Sequence, residues 1–403
     1  MNLLIPCALL CALATGQDFQ QRGYFETRLF VFPQAAPGDS GRAVTDGLLR
    51  YEASRKLTPW LRIYGALDAR TDSHRTTERE WRFDWQDRSL LRPAISLRRF
   101  SAVAHKGPIT FEFGKQFIRW GKTDIFNPMD RFAPKDFLNV VDSDFLGVPA
   151  ARLSIEKGAD TLDLVWQLRF TPSRVPLLNQ RWVLLPAGFV FRNGVTDFPG
   201  GGAGGLRWNH LGKGYEYSVA FYEGHNTLPL FNASVSPISA GIRLNKYFAQ
   251  MRMWGATTAI PLRWFTVKAE SGYFTSSTKS ADEYVQYVVQ MERQSGEWSF
   301  VGGYAGEVVT QQRNPFGFAP DRGLAKAFVG RASLTIDPYR SIAFEGVVRQ
   351  NGDGSWLKTE YTQTLNEHWK AVAAFNWIRG TASDFLGQYR LNSHALLGLR
   401  YSF

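Results

Sequence analysis

The strongest constraint on this chain is a period of two that persists from near residue 22 to the C-terminus. In 60–70, Leu61, Ile63, Leu67 and Ala69 share one side, and Arg62, Tyr64, Asp68 and Arg70 share the other. In 161–170, Leu162, Leu164, Trp166, Leu168 and Phe170 oppose Asp163, Gln167 and Arg169. Phe265, Val267, Ala269 and Tyr273 oppose Thr266, Lys268 and Glu270, and Leu397, Leu399, Tyr401 and Phe403 oppose Arg400 and Ser402. Successive side chains of a strand point to opposite faces, so each segment reads as a strand with one apolar and one polar face. A soluble sheet shows such alternation too. Here the segments run to about ten residues, no convincing amphipathic helix interrupts them, and no linker divides the chain into domains.

The connections sharpen this reading. Short ones (Lys106-Gly107-Pro108, Lys157-Gly158-Ala159, Gly212-Lys213-Gly214, Ser295-Gly296-Glu297, Asp337-Pro338-Tyr339-Arg340, Asn366-Glu367) alternate with longer ones near 72–90, 120–149, 171–202, 223–236 and 311–323. Tight turns on one rim and long loops on the other are the pattern of a transmembrane β-barrel with periplasmic turns and extracellular loops. No open sheet edge is tolerated in hydrocarbon, so the strands must close on themselves. The expected fold is therefore all-β, a single antiparallel transmembrane β-barrel of about 18 strands, with 16 the alternative. The segment 238–254 is irregular: its apolar phase flips near Tyr247, as a bulge or a missed turn would cause, and the next strand is expected at 262–274.

Composition excludes other architectures. Hydropathy is slightly polar overall, which rules out a bundle of membrane helices. With 44% hydrophobic residues the chain can bury enough surface to escape disorder. The formal net charge of +11 permits a polyanionic partner but speaks to association, not fold; no nucleic-acid partner is expected. Leu3 to Ala14 is an apolar run of secretory-leader length followed by small residues, so 1–16 is read as a signal peptide and 17–403 as the barrel. Met1 and Asn2 bring no positive side chain, a departure from that pattern. Both cysteines, Cys7 and Cys11, fall inside the leader, so neither thiol chemistry nor a cysteine metal site is expected afterwards.

The chain ends Gly398-Leu399-Arg400-Tyr401-Ser402-Phe403. This resembles the C-terminal signal of Gram-negative outer-membrane barrels, although Leu396 stands where a polar residue is usual. The resemblance implies recognition of Gly398, Tyr401 and Phe403 by the barrel-assembly machinery, and an outer membrane of lipid and lipopolysaccharide as the surroundings. A looser resemblance lies in Gly114-Lys115-Gln116-Phe117-Ile118-Arg119-Trp120-Gly121 and the following Asn127-Pro128. It is similar to a strand end and loop of alginate-export-like channels and other outer-membrane barrels, and implies the same fold without a substrate.

At 16–18 strands a barrel encloses an aqueous lumen, so inward residues become the functional surface. By parity the expected pore-lining residues include Arg62, Arg70, Arg169, Arg207, Lys268, Arg331 and Arg349, with Glu112, Glu270 and Glu307. Such cations favour anionic solutes; the competing role is pairing across strands, and the near balance of the signs leans towards pairing. The loop 120–149, rich in Phe and carrying Asp124, Asp130, Arg131, Lys135 and Asp136, is the expected constriction, with an extracellular cap as the alternative. Its carboxylates match no EF-hand spacing, and no metal or cofactor is expected.

Other motifs dissolve on inspection. Gly200, Gly202 and Gly205 spell a dinucleotide fingerprint with no helix after it. Ser393 and His394 are adjacent on one strand and so point to opposite faces. The expected function is non-enzymatic: a passive, porin-like channel for small hydrophilic solutes, anions among them. The alternatives are an exporter of an anionic polysaccharide, or a non-conducting barrel serving as surface hydrolase or scaffold.

Overall fold

The computed structural model describes residues 18–183, 185, 188–235, 241–313 and 322–403. The leader expected over 1–16 lies outside the described residues. The architecture is a closed antiparallel barrel of 18 strands. In chain order these are β1 (Phe19–Val31), β2 (Ala43–Thr58), β3 (Leu61–Asp72), β4 (Ile95–Lys106), β5 (Ile109–Gln116), β6 (Val148–Lys157), β7 (Asp160–Gln167), β8 (Ala203–Gly212) and β9 (Tyr215–His225). The second half comprises β10 (Gln250–Pro261), β11 (Thr266–Thr275), β12 (Glu283–Ser295), β13 (Trp298–Gln311), β14 (Ala327–Asp337), β15 (Arg340–Arg349), β16 (Gly354–Thr364), β17 (Trp369–Gly380) and β18 (His394–Ser402). Each pairs with its neighbour, and β1 meets β18 from Tyr24↔Ser402 to Val31↔Ala395, closing the wall. A two-residue piece, Phe83–Asp84, adds in parallel to the upper end of β4.

Parity sets the faces. Phe111 and Phe113, Leu164 and Trp166, Val289 and Met291, Phe328, Phe344, Phe375 and Leu397 are exposed on the outer wall. Between them Glu112, Asp163, Gln290, Glu345 and Asn376 turn inward. Closure pairs the wall's backbone groups internally, as hydrocarbon demands at several kcal/mol per unsatisfied group. The short connections lie on the rim that also carries both ends of the wall, and the described parts of the long ones on the opposite rim, matching the turn–loop alternation read from sequence; most of the expected loop 311–323 lies outside the described residues.

One strand departs from expectation. The segment 238–254 is not a single barrel strand. Ile242–Tyr247 belongs to a three-stranded sheet built by the long loops, between Phe191–Asp197 and Leu230–Val235. The chain leaves that sheet at Phe248-Ala249, and β10 starts at Gln250. The phase flip at Tyr247 therefore marks the join between two sheets. Residues 262–264, assigned to the following strand, form the tight turn closed by Leu262 N–H donating to Phe265 O. The count of 18 survives because β10, shifted to Gln250–Pro261, still takes the place of that one expected strand.

Candidate functional site

The loop between β5 and β6, residues 117–147, enters the lumen. Its first turn is held by Asp130, whose Oδ1 accepts the backbone N–H groups of Trp120 and Gly121 at 2.7 Å each. Trp120, Met129 and Phe132 then bury themselves against inward side chains of the wall: Val148, Ala150, Val165, Ala203, Ala220, Tyr222, Met251, Met253 and Phe274. Phe132 meets the rings of Trp120 and Tyr222 edge-on, at 5.1 and 4.9 Å. Gly205 on β8 is needed for this contact, because a Cβ there would lie 2.7 Å from Trp120 and 2.9 Å from Phe132.

Glu270 on β11 is the polar anchor. Fully buried, it accepts N–H from Lys122 at 2.9 Å and from Met129 at 2.7 Å, and the Thr123 hydroxyl at 3.2 Å. Next to it Lys122 pairs with Glu216 at 2.6 Å. Asp124 receives Lys268 at 3.5 Å and Gln290, while the Asp124 N–H donates to Gln290 Oε1 at 3.0 Å. A carboxylate that receives several N–H groups takes the place of a second strand's ladder, so the loop is docked rather than draped.

The second half of the loop crosses to the other side of the barrel. Lys135–Asp136 pairs antiparallel with Asp144–Phe145. Asp144 receives Arg98 at 2.7 and 3.0 Å and Arg50 at 3.2 Å, with Arg70 at 3.6 Å. Asp142 receives Arg28 at 2.5 Å. Asp136 receives Arg92 at 2.9 and 3.0 Å and Arg174 at 3.0 Å. Burial by itself would raise these carboxyls; the surrounding guanidiniums outweigh it and hold Asp144 at about 2 and Asp136 well below the usual carboxylate range. A buried chain of charges, Lys115 to Asp87 at 2.5 Å and Asp87 to Arg174 at 2.8 Å, extends the network and ties loops 73–94 and 168–202 to this one.

The described part of loop 168–202 in turn lies across the barrel's mouth. Trp182 packs with Phe30, Phe32 and Ile378, and the guanidinium of Arg181 sits 3.6 Å from the Phe32 ring centre. These residues belong to, or adjoin, strands on the side opposite β7. Two of the cavities beside the crossing loop bear on its role. One, of about 270 Å³, is walled by Phe126, Phe137, Trp356, Phe385 and Leu386, with Arg131, Lys135 and Glu345. The other, of about 280 Å³, is lined by Arg28, Arg50, Arg70, Arg92, Arg98, Arg174 and Arg400 facing Glu26, Asp68, Asp87, Asp136, Asp142 and Asp144.

The residues singled out from sequence are distributed as follows. Asp124, Asp130, Arg131, Lys135 and Asp136 all lie on the crossing loop, inside the barrel. Arg131 and Lys135 have no carboxylate within 4 Å among the described residues; they rest over Phe274 at 5.1 Å and Phe145 at 4.8 Å. Arg70 belongs to the Asp68–Asp144 cluster, and Arg207 pairs with Asp163 at 2.8 Å and donates to Trp120 O at 3.3 Å. Lys268 bridges Asp124 and Glu292, Arg349 meets Asp384 at 3.1 Å, Glu112 receives Arg99 at 2.8 Å, and Glu307 receives Arg322 at 2.6 Å. Arg331 stands across from Glu345, and Arg62 lies 6.0 Å from the Tyr64 ring near the short-turn rim. Arg169 is elsewhere: it sits beyond the end of β7, its guanidinium 5.6 Å from the Trp85 ring, at the rim rather than beside the crossing loop.

Parity missed Arg98 and Arg99. The β3–β4 register shifts between Ala66 and Leu67, a bulge that turns two consecutive arginines inward, to Asp144 and Glu112. It also missed Arg92 and Arg174, which reach the lumen from loops. Gly398 stands in register with Arg28, Tyr401 leans on Trp369 at 5.1 Å, and Phe403 exchanges backbone hydrogen bonds of 2.9 Å with Gly23. Ser393 and His394 go separate ways, Ser393 to the backbone of Ile378 and His394 to Asn392 O and Asn376.

No family model matches the chain, and neither does any curated protein. Solved structures do. OccAB1 of Acinetobacter baumannii aligns with 9% identity over 96% of this chain and 96% of its own, at TM-score 0.57. A BenF-like porin from Pseudomonas fluorescens Pf-5 aligns with 10% identity over 96% and 98%, at 0.55. OpdQ of Pseudomonas aeruginosa aligns with 10% identity over 95% and 98%, at 0.52. The fold is that of Gram-negative outer-membrane porins.

Proposed function

We propose that this protein is a passive channel of a Gram-negative outer membrane, porin-like, for small hydrophilic solutes, with a mild preference for anions. The observation that carries the reading is the loop 117–147 docked inside a closed barrel, leaving narrow charged cavities beside it instead of a packed core. In the second cavity seven arginines face six carboxylates, so the cations lead by one. In the first, Arg131 and Lys135 lack carboxylate partners among the described residues. Wall arginines opposite loop aspartates also set a transverse field that orients dipolar solutes. The partners that fit are the surrounding lipids, lipopolysaccharide included, and the barrel-assembly machinery acting on the last strand.

The polysaccharide-export reading needs a continuous run of unpaired cations, and Asp136, Asp142 and Asp144 interrupt it. A hydrolase reading needs a serine and a histidine in contact, which Ser393 and His394 are not. The test is a planar bilayer with the refolded chain under a salt gradient. Discrete current steps and a reversal potential of anion-preferring sign are expected. A correctly folded but silent barrel, or a cation-preferring one, would overturn the reading.

A further inference from the structure

The long-loop rim above β5–β7 carries two features that neither the lumen nor the wall uses. The first is apolar. Phe83 pairs in parallel with Ile95, whose partner on β3 is the outward-facing Ala69, so the short piece 83–84 prolongs the outer wall above the membrane-facing strands. Trp81, Phe83 and Trp85 are 81%, 53% and 42% exposed there, and Trp166, on the outer face of β7 shortly before Arg169, is 64% exposed. The second feature is charged. Arg88 donates through Nε and Nη2 to the carbonyl of Phe170, at 3.1 and 2.7 Å, which brings its guanidinium beside Arg169. Arg169 in turn covers Trp85.

Neither arginine has a carboxylate within 4 Å among the described residues, whereas Arg28, Arg50, Arg70, Arg92, Arg98 and Arg174 all do. The proximity of the two cations costs energy: burial, and then the Arg169 charge, lower the pKa of Arg88. Arg88 lies over Phe198 at 4.8 Å, so two guanidiniums without a carboxylate partner among the described residues stand beside exposed Trp85, a mismatch for water and a match for an anion whose own body is apolar. Guanidinium forks suit phosphate oxygens, and aromatic belts mark the level of lipid headgroups.

We infer that Arg88 and Arg169, the first over Phe198 and the second over Trp85, form a binding site for the phosphate group of an outer-leaflet lipid, whose acyl chains lie against Phe83 and Trp166. This rests on the outer-membrane placement proposed above. It makes loop 73–94 a lipid-anchored element, and because Asp87 and Arg92 on that loop grip Arg174 and Asp136, the lipid would brace the loops that cross the lumen.

The test uses the full chain, refolded and delipidated in detergent, with bisphosphorylated lipid A as probe and dephosphorylated lipid A of the same acyl composition as comparison. Retained lipid is read by native mass spectrometry. The wild type should hold the phosphorylated form at least about tenfold more tightly, and R88Q/R169Q should lose that discrimination. R169Q alone, which removes no hydrogen bond, guards against misfolding and should lose most of it. R252Q, at an outward arginine already paired with Glu223, should keep it. The site is refuted if the folded double variant still discriminates, if the wild type never does, or if inorganic phosphate occupies the arginines without the lipid. It is equally refuted if the arginine variants dissociate an oligomer in lipid-free detergent, since a second copy would then cover the patch. Failure to insert into bilayers at all would instead sink the outer-membrane reading.

Discussion

Replacing Asp144 by Asn tests whether the crossing loop sets ion preference by charge. Asp144 is the point where the loop neutralises the wall: Arg98, Arg50 and Arg70 converge on it, yet its side chain is still 42% exposed to the cavity. Asn keeps the shape and an acceptor oxygen but removes one negative charge, raising the cavity's surplus from one positive charge to two. An ion passing about 6 Å away feels that extra charge as about 0.7 kcal/mol in water-like surroundings, and screening at 0.1 M salt roughly halves it. Anion occupancy then rises about twofold while cation occupancy falls about twofold, so the anion-to-cation permeability ratio should increase about three- to fourfold. The assay is the reversal potential of single channels under a tenfold chloride gradient, with conductance in symmetric salt as a check that the loop has not moved. An unchanged reversal potential at unchanged conductance would refute the argument, since solutes would then bypass the Asp144 side of the loop.

Glu270→Ala removes the acceptor of three loop N–H groups, those of Lys122, Thr123 and Met129, and of the Thr123 hydroxyl; at about 1.5–3 kcal/mol for each hydrogen bond to a charged group the loop should detach from β11, giving larger and noisier single-channel currents. Gly205→Val should displace Trp120 and Phe132 at a cost of about 1–3 kcal/mol, exposing Arg119 or Arg131 in the folded barrel to trypsin, which leaves the wild-type loop intact. Asp144 and Asp136 are both held below the ordinary carboxyl range, so their contribution is complete above about pH 4 and disappears as acid protonates them, Asp144 near 2. For the partly exposed Asp144 that contribution is about 1 kcal/mol after solvent screening. Current noise should therefore be flat from pH 8 to 5 and rise only towards pH 2; a rise centred near pH 6 would point to a histidine instead.

Much of the wall was legible because the lipid imposes a strict rule. Every second residue of Leu162, Leu164, Trp166 or of Leu397, Leu399, Tyr401 had to be apolar, and turns such as Gly158-Ala159 had to be short. The rule weakened where the chain leaves the bilayer. Ile242–Tyr247 alternates well enough to pass for a wall strand, because a sheet made by loops obeys the same period. Arg98 was hidden by a bulge, which changes parity without changing composition. Arg169 was misplaced because parity was carried past Gln167, where the strand ends.

The course of the loop between β5 and β6 was legible too, in a signal that alternation conceals. A wall strand facing water inside should be polar at every inward position, yet β6 to β10 place Val148, Ala150, Val165, Ala203, Gly205, Ala220, Met251 and Met253 there. Apolar or minimal side chains on the inner face make no sense against water. They make sense only if protein covers them, and the segment able to do so is the Phe-rich loop that leaves β5. The inward positions of β1 to β4, in contrast, hold Arg28, Arg50, Arg70 and Arg98, which need carboxylates, and the far half of the same loop supplies Asp142 and Asp144. The inner wall thus offers an apolar patch on β6 to β10 and a group of arginines on β1 to β4, and the loop carries a complement to each in the order in which it meets them. Its path through the lumen follows from that order: Trp120, Met129 and Phe132 first, against β6 to β10, and Asp142 and Asp144 last, against β1 to β4.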